Sequence, residues 1–221
     1  MLPMQVFTLL SLRVVMLRTA LVALLPLVSS MCFAETQAVD IYSQDQLLEM
    51  IRGEKYLARV KQDDCQLVQD IEARAEVLKQ PLYQFLWGEM LNHGTCVKAN
   101  AVKGMGLLQE AAEQGSPEAM VKLAEYYQNG KFVIRNKDRA VNYLLPAAAS
   151  GSLAARMMLV RLYGEGYGSP RDYEMAYNWL YNNVFTDEAT KKKALSLLQV
   201  LAAKMPASAV ARAQQEHLRT R

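Results

Sequence analysis

The chain repeats itself at an interval of 36 residues between residues 81 and 185. Glycines and large apolar residues recur together at this interval, as do small residues on the following segment: Gly94, Gly130 and Gly166; Trp87, Leu123 and Leu159; Leu91, Tyr127 and Tyr163; Leu108, Leu144 and Leu180; Gly104, Ala140 and Ala176. A constant period of this length is typical of stacked repeat proteins, because one unit cannot bury its own apolar face.

Each unit contains the start and stop signals of two helices. The first helices begin at Pro81 or after a serine, and a glycine ends each of them. The second helices are predicted to have their N-caps at Asn100, Asn136 and Asp172, which are also 36 residues apart. The sequence therefore predicts an all-α solenoid of helix pairs, with repeats at 81–115, 116–151 and 152–185.

The segments on either side, 35–80 and 186–221, are predicted to be an N-terminal arm with capping helices and a pair of C-terminal capping helices. Ser43 and Gln46 predict a capping box for a helix that Gly53 ends.

Further along, Asp63 or Asp64 is expected to open a helix that reaches Leu78, while 56–60 is ambiguous. The C-terminal helices are predicted over 187–203 and 207–218, with Leu195 among their apolar positions, and Pro146 predicts a kink in its helix.

Residues 1–34 have the pattern of a secretory signal peptide. Arg13 and Arg18 form a basic region, 21–28 is apolar, and 32–34 is a small-x-small cleavage box, so we expect cleavage before Glu35. One alternative is an uncleaved membrane anchor, for which the apolar run is short. The other is a lipoprotein anchor at Cys32, but the residues before this cysteine do not match such signals.

Charge gives no reason to expect nucleic acid as a partner. Removing the signal lowers Lys plus Arg from 25 to 23 against 22 Asp plus Glu, so the mature chain carries a formal charge of +1. Nucleic-acid binding needs a clustered basic face, and no such cluster is visible.

Cleavage also leaves Cys65 and Cys96 as an even pair in an exported chain. In an oxidising compartment a disulfide is the expected state, and it would stabilise by roughly 3–4 kcal/mol in the chain-entropy model. The alternative is two free thiols. A zinc site is not indicated, because His93 and Cys96 have no second pair of ligands beside them.

No catalytic, metal or cofactor site is apparent. Glu89 and His93 are four residues apart and are expected to pair on one helix face, which is a common surface pairing. The glycines at 164, 166 and 168 resemble a phosphate loop but lack a preceding strand and a Walker lysine, so they are interpreted as a turn. The repeats therefore indicate a binding scaffold rather than an enzyme.

The concave side of such a stack is usually lined by the first helix of each pair. Non-core residues of these helices are predicted to form a mixed-charge groove that binds a partner. These residues are Gln84, Glu89, Glu118, Lys122, Glu125, Arg156 and Arg161.

The repeat unit resembles the Sel1-like repeat family, relatives of the TPR, through Ala119-Leu123-Tyr127-Gly130 and through Ala140-Tyr143 and Ala176-Trp179. The mature chain as a whole is similar to a family of exported proteins of sodium-driven polar flagellar motors. That similarity rests on 41–51, 55–100, 120–128 and 162–174, which include both cysteines.

The second resemblance implies a periplasmic structural protein without enzymatic activity. Its partners would be MotY in the T ring beneath the outer-membrane rings and PomB of the PomA/PomB stator, which conducts sodium. Two alternatives stay open: a Sel1-repeat adaptor of another envelope complex, and a hydrolase acting on peptidoglycan or β-lactams. The hydrolase would need a nucleophile and base that the sequence does not display.

Overall fold

The computed structural model describes residues 42–215, which form eleven α-helices, one short 3₁₀-helix over Pro170–Asp172 and no strand. The predicted signal peptide, the predicted arm up to residue 41 and the predicted helix end beyond Gln215 lie outside the described residues. The all-α prediction is confirmed. The helices are α1 Gln44–Arg52, α2 Tyr56–Gln62, α3 Val68–Glu76, α4 Pro81–His93, α5 Ala101–Glu113, α6 Pro117–Asn129, α7 Lys137–Ala149, α8 Leu153–Glu165, α9 Tyr173–Tyr181, α10 Glu188–Ala202 and α11 Ala207–Gln215.

Three helix pairs form the stack: α4 with α5, α6 with α7, and α8 with α9. Their first helices end at Gly94, Gly130 and Gly166, which adopt left-handed φ angles of 64°, 73° and 97°. Glycine takes this conformation at the lowest cost because it has no β-carbon, so the glycine stop signals are confirmed.

The predicted N-caps are confirmed in the first two repeats. Asn100 and Asn136 accept hydrogen bonds from backbone amides three residues ahead, and Ser116 and Ser152 do the same for α6 and α8. Each cap satisfies one of the amides that the first turn of a helix leaves unpaired.

Asp172 does not act as the predicted cap of the third repeat. A 3₁₀ turn over Pro170–Asp172 precedes α9, and Ser169 accepts from the amide of Arg171 instead. Asp172 therefore has helical backbone angles when α9 begins, and its side chain makes no cap hydrogen bond.

The turn before this segment also starts later than predicted. α8 continues through Gly164 to Glu165, so the turn starts two residues later, at Gly166.

The N-terminal cap begins with the predicted capping box. The Gln46 amide donates to Ser43 Oγ at 3.2 Å, and the Ser43 amide donates to Gln46 Oε1 at 2.9 Å. Gly53 follows the end of α1 as expected. The ambiguous segment 56–60 lies within helix α2.

The prediction that Asp63 or Asp64 opens the next helix is wrong. Asp63 follows the end of α2, where its carboxylate accepts from the Tyr42 hydroxyl at 2.5 Å and from Arg59 Nε at 3.1 Å. A turn with left-handed residues at Asp64 and Cys65 comes next, and α3 begins only at Val68. Leu78 lies beyond the end of α3 and is 56% exposed.

At the other end, Asp187 accepts from the amide of Thr190 at 2.7 Å and caps α10. The buried residues of α10 are Ala194, Leu198 and Leu201, whereas the predicted apolar position Leu195 is 50% exposed. Leu195 follows Ala194 directly and so lies off the helix face that the three buried residues share. α7 continues through Pro146 to Ala149, and the predicted kink stays a prediction.

Within residues 42–215 the hydrophobic core has two clusters. One joins the N-terminal cap to the first repeat and reaches Leu123 and Tyr126 on α6. The other joins the second and third repeats to the C-terminal helices. Met120, Val133 and Tyr143 are partly buried and pack against both clusters, so apolar contact is continuous along the stack.

Candidate partner-binding groove

A groove of about 700 Å³ runs across the first helices of the repeats. Its walls are the turn between α1 and α2 on one side and the turn leading into α8 on the other, with α6 between them. We call this the open groove. Its lining residues are Ile51, Arg52, Glu54, Phe85, Pro117, Glu118, Val121, Lys122, Glu125, Ser150, Gly151, Ser152, Leu153, Ala154 and Thr186.

The sequence places one face of α6 in the groove through ordinary helical spacing. Glu118, Val121, Lys122 and Glu125 are at positions i, i+3, i+4 and i+7, which share one helix face. The opposite face carries the buried Ala119, Leu123 and Ala124. The open groove is therefore the non-core face of the central repeat.

Charged side chains in the groove are paired. Arg52 Nη2 lies 3.0 Å from Glu118 Oε1, and Lys122 Nζ lies 2.7 Å from Glu125 Oε2 and 3.7 Å from Glu54 Oε1. Burial lowers the pKa of Lys122, but its hydrogen bond to Glu125 and the nearby carboxylates raise that pKa by more, so the net shift is upward. The lysine is thus a fixed cation among three carboxylates.

Three of the seven predicted groove residues lie together in the open groove: Glu118, Lys122 and Glu125. The prediction that Gln84 and Glu89 are surface residues is wrong, because they are 0% and 1% exposed. Helices α1 to α3 cover the side of α4 that α5 and α6 leave open, so Leu82 through Asn92 are buried without a gap. A repeat pattern cannot show the burial of Glu89, since its partner Tyr56 lies on α2, outside the repeats.

Glu89 is the centre of a buried polar network. Its carboxylate accepts from the Tyr56 hydroxyl at 2.8 Å, from the Tyr126 hydroxyl at 2.6 Å and from Asn92 Nδ2 at 3.0 Å. Burial, followed by the charge of Glu89, raises the pKa of both tyrosines, which therefore stay neutral donors. The network connects α2, α4 and α6, so it ties the N-terminal cap to two repeats.

Gln84 belongs to a second network, between the two helices of the first repeat. Its Nε2 donates to Glu110 Oε2 at 2.9 Å, and Gln114 Nε2 donates to Gln84 Oε1 at 2.6 Å. Lys79 also donates to Glu110 at 2.9 Å. Both groups of the buried amide are satisfied, which is what allows it to lie in the core.

Arg156 and Arg161 do not line the open groove. Arg156 donates to the backbone oxygens of Ala148 and Trp179 and to Asn183 Oδ1, all within 3.1 Å. Burial lowers its pKa. Arg161 donates to Gln128 Oε1 at 2.7 Å. These arginines hold neighbouring segments together instead of facing the groove.

His93 makes its shorter contacts with groups other than the Glu89 carboxylate. Nδ1 is 3.1 Å from the carbonyl oxygen of Glu89 and 3.9 Å from its carboxylate, while Nε2 is 2.8 Å from Lys131 Nζ. A carbonyl accepts and an ammonium donates, so this geometry assigns the imidazole proton to Nδ1. His93 thereby links the first repeat to the loop of the second.

The structure contains the predicted disulfide between Cys65 and Cys96, with Cα atoms 5.6 Å apart. It joins the turn between α2 and α3 to the loop between α4 and α5. The predicted disulfide is therefore confirmed, and it crosslinks the N-terminal cap to the first repeat.

The sequence did not identify the cap residues Ile51, Arg52 and Glu54 as a groove wall, because nothing local indicates which helix they contact. Val121 could have been found, since it shares a helix face with Glu118 and Glu125. Among residues 42–215 no group of three or more His, Cys, Asp or Glu is arranged to hold a metal ion. Over the same residues no helix is long and apolar enough to cross a membrane.

Comparison with known proteins places the repeats within a family. The Sel1 repeat model matches residues 81–116, 117–152 and 153–181. The sodium-type polar flagellar protein MotX of Vibrio parahaemolyticus serotype O3:K6 (strain RIMD 2210633) is 41% identical over 207 residues, which are 91% of this chain and 98% of the relative.

Two solved structures are also similar. A Sel1 repeat protein from Oxalobacter formigenes has a TM-score of 0.47 and 25% identity, over 67% of this chain and 97% of the other. The protective antigen c5321 of uropathogenic Escherichia coli, which displays an SLR fold, has a TM-score of 0.47 and 18% identity, over 79% of this chain and 44% of the other.

Proposed function

The chain belongs to the MotX family of sodium-type polar flagellar proteins and contains Sel1 repeats, and from this premise we propose that it is a structural component of the polar flagellar motor. In this proposal it is exported to the periplasm and joins MotY in the T ring of the basal body. There it recruits and holds the PomA/PomB stator, and it catalyses no reaction itself.

The observation that carries the proposal is the extent of the family match. Identity of 41% covers 98% of the relative, so it includes the N-terminal cap as well as the repeats. A generic Sel1-repeat adaptor would need to resemble MotX only in the repeats. The Cys65–Cys96 disulfide supports export, because disulfides persist mainly in oxidising compartments.

The open groove is our candidate for the partner surface within this function. Its charges are held in pairs by a helix and by the disulfide-linked cap, so a partner would meet a largely preformed surface. Preformed surfaces bind with a smaller loss of conformational entropy. Lys122 and Glu125 are the pair at its centre.

The test is complementation of a strain that lacks this gene, in a polarly flagellated bacterium with a sodium-driven motor. We expect the deletion strain to stop swimming and the native gene to restore swimming. The charge swap Lys122→Glu with Glu125→Lys keeps the ion pair but reverses it, so we expect a folded protein that does not restore swimming.

Glu113→Lys is the matched control, because this exposed glutamate lies on α5, away from the open groove. Protein levels and thermal unfolding would be measured for each variant. Normal swimming of the deletion strain would overturn the motor function. Full rescue by the charge swap would overturn the role of the groove.

A further inference from the structure

The first helices of the first and second repeats carry an equivalent pair of residues. Phe85 and Glu89 on α4 become Val121 and Glu125 on α6 when 36 residues are added. Each pair is an apolar residue followed one helical turn later by a carboxylate on the same face. The two pairs differ in what lies over them.

In the first repeat the pair is covered by the protein's own helix α2. The Tyr56 ring meets the Phe85 ring edge to face, with centroids 5.2 Å apart, and the Tyr56 hydroxyl donates to Glu89 Oε2 at 2.8 Å. One tyrosine thus contacts both members of the pair. The turn before α2 continues into the wall of the open groove through Glu54, which lies 3.7 Å from Lys122.

In the second repeat both members of the pair line the open groove, whereas in the first repeat only Phe85 reaches it. Val121 has a smaller side chain than Phe85, and the groove beside it has a volume of about 700 Å³. Lys122 contacts Oε2 of Glu125. A carboxylate has about four lone-pair sites, so Glu125 has the capacity for a further donor.

We infer that the open groove binds an α-helix of a partner protein that presents a tyrosine, with its ring on Val121 and its hydroxyl donating to Glu125. This rests on the proposed function, in which the groove is the partner surface. The bound helix would continue the contact that α2 already makes with the preceding repeat.

Charge in the groove favours a neutral donor. A partner lysine at Glu125 would approach the ammonium of Lys122, and a partner carboxylate would approach Glu118 and Glu125. A phenol avoids both repulsions and brings apolar area for Val121. Tyrosine therefore matches the site better than a charged residue or phenylalanine, which has no donor.

The third repeat offers no second copy of this site. The equivalent positions are Met157, which packs against the core, and Arg161, which donates to Gln128. An arginine cannot accept a hydrogen bond from a phenol. One tyrosine-bearing helix per chain is the expected occupancy.

The test uses the oxidised mature protein and a helical peptide that copies residues 55–62, KYLARVKQ, with Ala58→Lys and Gln62→Asp at two exposed positions, whose side chains are joined as a lactam. The disulfide keeps the native cap over the first pair, so the peptide can occupy only the second. Binding would be measured by titration, following the methyl resonances of Val121 and Leu153. We expect the tyrosine peptide to bind about tenfold more tightly than its Phe analogue, since hydrogen bonds to charged groups are the stronger class.

Glu125→Gln should remove most of this preference, and Glu113→Gln should leave it unchanged. Equal affinities of the two peptides, shifts confined to other methyl groups, or no binding would overturn the inference. If the peptide shows no tyrosine-dependent binding but the Lys122/Glu125 charge swap still abolishes swimming, the inference fails while the proposed function of the groove stands. If the peptide binds through its tyrosine but the charge-swap variant fully restores swimming, the groove binds such a helix and its role in the motor is rejected.

Discussion

The first and second repeats are built from the same helix pair but differ in what surrounds the first helix. α4 is buried along eleven consecutive residues, Leu82 to Asn92, because the N-terminal cap covers the side that faces solvent in later repeats. α6 has the same length and leaves Glu118, Lys122 and Glu125 in an open groove. Equivalent positions can therefore be core in one repeat and surface in the next.

The covered repeat contains polar groups that an ordinary helix-pair core lacks. Glu89 and Gln84 are buried there with hydrogen-bond partners, and Gly88 crosses Gly104 at close range. The equivalent positions of the second repeat hold Ala124 and Ala140. The capped repeat is thus expected to be more sensitive to substitution, and paired variants at equivalent positions test this difference.

The largest effect is expected at the carboxylates. Glu89→Ala leaves two tyrosine hydroxyls and an asparagine amide without their buried acceptor, and each buried unsatisfied group costs about 1–3 kcal/mol. We expect a loss of about 3 kcal/mol or more in the free energy of unfolding, measured by urea denaturation.

Glu125→Ala is the matched variant, and it should cost about 1 kcal/mol or less because a partly exposed ion pair contributes little. Equal losses for the two variants would show that the cap does not distinguish the repeats energetically.

A smaller effect is expected where the helices cross. A β-carbon at Gly104 would lie 2.5 Å from the carbonyl oxygen of Gly88 and would also collide with Asn92, so α4 and α5 would have to separate. We expect Gly104→Ala to lower the free energy of unfolding by about 1–3 kcal/mol, the usual range for overpacking.

An alanine already occupies the equivalent position 140, and Ala140→Gly tests the reverse change. It should cost about 1 kcal/mol through helix propensity, plus a contribution from the buried methyl group that it removes. Replacing a solvent-exposed helical glycine with alanine usually stabilises a protein. If Gly104→Ala stabilises the protein, α4 and α5 do not approach closely at Gly104.

The smallest effect is expected at the N-caps of the second helices, where the second and third repeats differ. Asn136 accepts from the amide of Arg139 at 2.8 Å, so Asn136→Ala should cost about 1 kcal/mol, a typical value for an N-cap. Asp172 makes no cap hydrogen bond, and Asp172→Ala should change the unfolding midpoint very little. A similar loss in both variants would mean that Asp172 caps α9 in solution.

The sequence by itself determined the features that depend on short stretches of chain. The 36-residue interval, the Asn and Ser caps, and the glycines at 94, 130 and 166 predicted the helix pairs and most of their ends, because caps and left-handed residues act within one turn of backbone. The disulfide was predicted because two cysteines remain in a chain that is expected to be exported to an oxidising compartment. Three residues of the groove were found because they share one face of one helix.

Tertiary structure alone decided what covers each face. Glu89 and Glu125 occupy the same place in the period, but only Glu89 lies under α2, so burial followed a contact 33 residues away in sequence. Each repeat loop also has a second left-handed residue, at Cys96, Phe132 and Gly168, again 36 apart. The side chains at this position share no chemistry, because one forms the disulfide and another packs on His93 and Tyr126. Local patterns specify the backbone of a repeat, whereas burial and partners depend on segments that fold against it from outside.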